Sequence, residues 1–126
     1  MASENQKIGF IKGRVRGGFI ALKGAFLFVT TEHSGMVQFA LAVLLSIAAY
    51  YYEISKIEWM FHIIVIAMVL SVEALNTAVE KLCDFVHDAH HEKIGFIKDI
   101  AAGAVWFSAI AALVVELLIF WPKIFG

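Results

Sequence analysis

Two glutamates, an asparagine and an aspartate recur at helical spacing in VEALNTAVEKLCD, residues 72–84, at the end of the uncharged run WMFHIIVIAMVLSV. On a helix turning about 100° per residue, Glu73, Asn76, Glu80 and Asp84 fall within an arc of about 80°. If the helix continues through the next residues, His87 and His91 join the same stripe. Two carboxylates one to two turns apart near an aqueous boundary can divide labour. The more buried one suits a general base, and the one nearer water suits a hard cation. Asn76 between them adds a neutral acceptor and a donor.

Glu73 is the most demanding of these residues. It lies about 21 Å along a helix from Trp59, inside a hydrocarbon layer about 30 Å thick. A carboxylate there costs about 2.5–3.5 kcal/mol on insertion scales, so such residues face a bundle interior and serve a function. Glu32, in VTTEHSG, is a further acid at the same interface, because Mg²⁺ is commonly held by one or two carboxylates together with substrate phosphates. Lys98 and Asp99, in FIKDIAAGAV, offer a point charge for phosphate and an acid suited to a helix start. The chain has no GxxxxGK[ST], GxGxxG or protein-kinase signature, so a nucleotide site here is an unconventional one. The cluster VHDAHHE, residues 86–92, reads as a solvated loop. Its Asp84-x-x-His87 spacing occurs once, whereas a di-iron bundle needs it on two helices. Glu116 reads as an interfacial or packing residue, and Cys83, the only cysteine, as a small packing residue.

These side chains need a membrane scaffold to hold them. Of the 126 residues 61% are hydrophobic, against about 45–50% in ordinary soluble proteins, and the mean hydropathy is +0.82. The net charge of −1 supplies no broad basic field for nucleic acid. The N-terminus has scattered charges rather than the compact apolar core of a signal peptide. The reading is an all-α membrane protein of one domain: an amphipathic surface helix over residues 5–31, then spans over 36–54, 59–86 and 99–121. Ile8, Ile11, Val15, Phe19 and Leu22 supply the apolar side of the first helix, and Lys7, Lys12, Arg14, Arg16 and Lys23 its basic side. Glycines at 13, 17, 18 and 24 weaken that helix. Tyr50, Tyr51, Tyr52, Trp59 and Trp121 sit near span ends as an aromatic belt. The basic N-terminal segment is expected in the cytoplasm, with the loop over 81–99 on the same side. KIGFIK occurs at 7–12 and again at 93–98, as two short amphipathic pieces at that interface.

EALNTAVEKLCD followed by KDIAAGAV resembles the small bacterial membrane kinases of diacylglycerol and undecaprenol, whose helix pattern is E-x-L-N-[ST]-A-[IV]-E-x-x-x-D. ALKGAFLFVTTE, with Gly24 and Glu32, matches as well, and the resemblance covers roughly residues 19–121. It implies a homotrimer in the bacterial cytoplasmic membrane with active sites shared between subunits at the cytoplasmic face. The implied reaction moves the γ-phosphoryl of MgATP to the hydroxyl of diacylglycerol, giving phosphatidate, with undecaprenol as the alternative acceptor. By position, Glu73 resembles the general base, and Glu32 and Glu80 the carboxylates for divalent ions. Asn76, His91, Lys98 and Asp99 match positions near the nucleotide, with Glu32 and Glu80; Arg14, next to Gly13 where one branch has its N-terminal arginine, is assigned to the nucleotide with them. Asp84 matches the acid that ends the helix motif. Glu73 and Ala102 match positions on the lipid side. Ala102 stands where one branch has Ser, and Ala89 where members often carry an acid. A small ion or metal transporter is the alternative of another class, but the first span offers only Gln38 and Ser46 for a path.

Overall fold

The computed structural model describes residues 3–126 as four helices: α1 (Glu4–Thr31), α2 (His33–Tyr51), α3 (Lys56–Val86) and α4 (Glu92–Phe125). No strand occurs among the described residues. The last three helices are each long and apolar enough to cross a membrane, so the chain is an all-helical membrane protein with a preceding N-terminal helix.

α1 runs unbroken through its glycines. Ser3 caps it, accepting from the Gln6 amide while Gln6 Oε1 accepts from Ser3 N–H. A helix-interior glycine costs about 1 kcal/mol, whereas backbone groups left unpaired beside lipid cost several kcal/mol each. Continuity therefore wins. None of its residues is buried within the chain, and Phe10, Phe19, Leu22 and Phe26 are exposed.

One residue, Glu32, separates α1 from α2, with extended backbone at φ −94° and ψ 129°. Its N–H donates to the Phe28 carbonyl at 3.3 Å, and its carbonyl accepts from Met36 at 2.9 Å. The helix ends approach so closely that a Cβ on Gly35 would lie 2.0 Å from the Phe28 carbonyl oxygen. Gly35 is thus what permits the elbow, and the elbow fixes Glu32.

α2 begins at His33 and ends at Tyr51 rather than covering 36–54, because a tight turn starts at Tyr52. Glu53 there has φ 50°. Ser55 then caps α3, accepting from Glu58 N–H at 3.1 Å while Glu58 Oε1 accepts from Ser55 N–H at 2.9 Å. Ala49, Ile54, Ile119 and Phe120 form a small core beneath this turn, flanked by Tyr52 and Trp59.

At the other end the helices extend past their apolar stretches. α4 starts at Glu92 instead of 99, so the second KIGFIK lies in its first turns. The expected loop over 81–99 shrinks to residues 87–91. His87 takes extended backbone at φ −155° and ends α3. His87 and His91 therefore do not continue the α3 stripe. His91 instead caps α4, its Nδ1 accepting from Lys93 N–H at 3.1 Å.

Candidate active site

α2 and α3 run antiparallel, and their polar residues meet in register. Gln38 Nε2 donates to Glu73 Oε1 at 3.5 Å, and one turn further on Ser34 Oγ lies 3.4 Å from Thr77 Oγ1. Another turn brings Glu32 Oε1 to 3.2 Å from Lys81 Nζ. The elbow thus delivers Glu32 to the polar end of α3. On the neighbouring side of α3, Asn76 Nδ2 donates to Glu80 Oε1 at 3.2 Å. This is the four-residue spacing at which side chains on a helix meet. Lys98, which precedes the apolar stretch of α4, donates to Asp84 at 2.5 Å. The Asp84 carboxylate beside it holds the Lys98 ammonium above the ordinary lysine value.

Glu73 and Asn76 are half-buried, and Glu80 and Asp84 are exposed. The polar stripe therefore runs from the interior of the bundle outwards, with a lysine on either flank. Asn76 Oδ1 is buried and has no hydrogen-bond partner. A buried amide oxygen without a donor is costly, and this one sits beside the Glu80 carboxylate. Glu32, Glu80 and that oxygen are the hard acceptors that suit Mg²⁺, which prefers few protein oxygens and completes its shell with water and phosphate. No group of three or more His, Cys, Asp or Glu side chains converges among the described residues. The donor set therefore fits an ion carried in with phosphates and not a protein-only metal cage.

The remaining residues expected at the site are less closely gathered. His91 lies at the start of α4, its ring 5.3 Å from that of His87. Arg14 on α1, and Asp99 and Ala102 on α4, are exposed. Cys83 is buried, in keeping with a packing role.

Several contributors are not evident from the sequence. Lys81 reads there only as a loop charge. Thr77, Ser34 and Gln38 gain meaning only once α2 and α3 are in register. The pairing of Glu116 with His62 is likewise not evident from the sequence. His62, a lone imidazole in an uncharged run, is fully buried, with Nδ1 2.7 Å from Glu116 Oε1. Its signal was the presence of two ionisable residues in spans that are otherwise apolar.

Known proteins share this arrangement of sequence. A family model described as prokaryotic diacylglycerol kinase matches residues 19–120. The undecaprenol kinase of Bacillus subtilis (strain 168) is 36% identical over 120 residues, covering 95% of this chain and 94% of its own length. The diacylglycerol kinase of Escherichia coli (strain K12) is 31% identical over 85 residues, covering 67% of this chain and 70% of its own length. A diacylglycerol kinase of Synechocystis sp. is 47% identical over 49 residues, covering 38% of this chain and 28% of its own length. With its three apolar helices and the polar stripe on α3, the chain belongs to the prokaryotic diacylglycerol kinase family and is, with it, a lipid kinase.

Proposed function

We propose that the protein transfers the γ-phosphoryl of ATP to the hydroxyl of a membrane lipid alcohol, at the end of the bundle that carries Glu32, Asn76 and Glu80. The observation that carries this reading is the position of Glu73. It is half-buried, hydrogen-bonded by Gln38, and one turn inside the Asn76–Glu80 pair. A lipid hydroxyl arriving from the apolar side meets Glu73 before it meets water. Phosphates arriving from the aqueous side meet Asn76, Glu80 and the flanking lysines.

In this reading the hydroxyl donates its proton to the Glu73 carboxylate as its oxygen attacks the γ-phosphorus. The bond to the bridging oxygen breaks and ADP leaves. Glu32, Glu80 and Asn76 Oδ1 would hold the divalent ion, which when bound supplies neutralisation of phosphate charge. Lys98 adds a positive charge for the phosphates, and Arg14, His91 and Asp99 are assigned to the nucleotide periphery. Phosphoryl transfer asks mainly for positioning and charge neutralisation, so no P-loop is required. We place the reaction at the cytoplasmic face of a bacterial inner membrane, in a homotrimer whose sites are completed between subunits.

Undecaprenol is the favoured acceptor. The similarity to an undecaprenol kinase extends over nearly the whole chain, α1 included, and Ala102 replaces the serine of the other branch. Diacylglycerol is the second reading, favoured by the Escherichia coli relative and the family model. An acceptor panel with γ-labelled ATP decides between them. Labelled undecaprenyl phosphate in excess of phosphatidate is expected, the reverse selects diacylglycerol, and no labelled lipid overturns both.

A further inference from the structure

The polar group at the other end of the bundle is built in a particular way. The hydroxyl of Ser46 lies 2.8 Å from the Ala42 carbonyl and 3.0 Å from His62 Nε2. His62 Nδ1 lies 2.7 Å from Glu116 Oε1. Pairing with one another is how two ionisable groups are tolerated within a span. Only one carboxyl oxygen of Glu116 is used. The side chain is 11% exposed, and Oε2 is buried without a partner.

Glu116 also lines a groove of about 540 Å³ between α2 and α4. The groove passes from Tyr52 and Ile124 at one end to Gln38 at the other, about 21 Å along α2 at about 1.5 Å per residue. Between those ends its walls are apolar, with Leu45 and Leu117 among them, except at Glu116. Gln38 is the residue that donates to Glu73. One continuous apolar channel therefore carries hydrogen-bonding groups at two depths, and the deeper of these has an acceptor with nothing to accept from.

We propose that Glu116 Oε2 is a second binding station for the hydroxyl of the lipid alcohol, one that receives it in the groove between α2 and α4 before it reaches Glu73. The proposal rests on the lipid-kinase reading for the identity of the ligand. A lone hydroxyl sliding through hydrocarbon lacks an acceptor, and leaving a polar group unpaired in an apolar medium is unfavourable. Glu116 shortens the unpaired stretch. His62 and Ser46 act through Glu116 as positioning residues, holding Oε1 and leaving Oε2 as the carboxylate oxygen still able to accept. The ligand class is a long-chain alcohol with a free O–H.

The test uses the nucleotide-free, full-length protein in nanodiscs. The probes are a long-chain primary alcohol carrying a diazirine beside the hydroxyl carbon, and its methyl ether. After irradiation, the alcohol should label peptides containing residues 45–52 and 112–120 as well as those around Glu73. The ether, which has no proton to donate, should label the former much less. Glu116→Gln should keep the labelling, because the amide retains an oxygen that can accept. The double variant His62→Leu/Glu116→Leu removes the acceptor without stranding a charge, and should lose the labelling. In turnover it should raise KM for the lipid alcohol by about 3- to 10-fold, the worth of one hydrogen bond, with KM for ATP unchanged. Equal labelling by alcohol and ether, measured on the unaltered protein, overturns the station even if the double variant does not fold. Hydroxyl-dependent labelling without any lipid phosphorylation would retain the station and refute the kinase reading. Phosphorylation without hydroxyl-dependent labelling would do the opposite.

Discussion

Glu32 Oε1 lies 3.2 Å from Lys81 Nζ. The only residue between α1 and α2 is thereby tied to the polar end of α3. Glu32 is brought there by an elbow whose geometry depends on Gly35. Lys81 thus ties the elbow to the polar end of α3.

Gly35→Ala should disturb that elbow. The added methyl would meet the Phe28 carbonyl at 2.0 Å, backbone that cannot move aside cheaply. Overpacking of this kind costs about 1–3 kcal/mol. A lowered melting temperature in detergent and a reduced kcat are expected, with Met36→Ala as an exposed control that changes neither.

Glu73→Gln should keep the fold and the Gln38 neighbour but remove the base. General-base loss lowers rates by about 10²–10⁴-fold. Steady-state phosphorylation should show the fall in kcat with little change in KM for ATP. Full activity in this variant would refute the assignment.

Lys98→Met should raise KM for ATP, and Asp84→Asn should do so less, since it leaves the ammonium in place. The Lys98 ammonium is held above its ordinary value by Asp84. Its contribution is therefore fully present below the ordinary lysine value and is lost as pH rises through the higher folded value. KM for ATP measured up to about pH 10 should show no loss attributable to Lys98.

Ser55→Ala should destabilise the α2–α3 turn by about 0.5–2 kcal/mol, the usual worth of an N-cap. Glu58, outside the apolar stretch of α3, is held below the ordinary glutamate value, first by its hydrogen bond from the Ser55 backbone N–H and further by Lys123. Its stabilisation is present above the ordinary glutamate value and is lost as pH falls through the lowered one. Thermal unfolding followed by circular dichroism should show the variant's deficit near neutral pH.

The sequence by itself determined the class of fold and the α3 stripe. Long apolar runs have few solutions other than helices in a bilayer, and Glu73, Asn76, Glu80 and Asp84 share a face through the helical repeat alone. The Asn76–Glu80 contact follows from that repeat. Partners on other helices could not be read in this way. That Gln38 meets Glu73, that Lys81 meets Glu32, and that His62 meets Glu116 depends on the register of antiparallel helices. Register is set by the connections at Glu32, 52–55 and 87–91, not by the composition of the runs. The helix ends were hidden for a related reason. α3 and α4 continue past their apolar stretches into polar sequence, where hydropathy carries no signal and capping residues such as His91 decide.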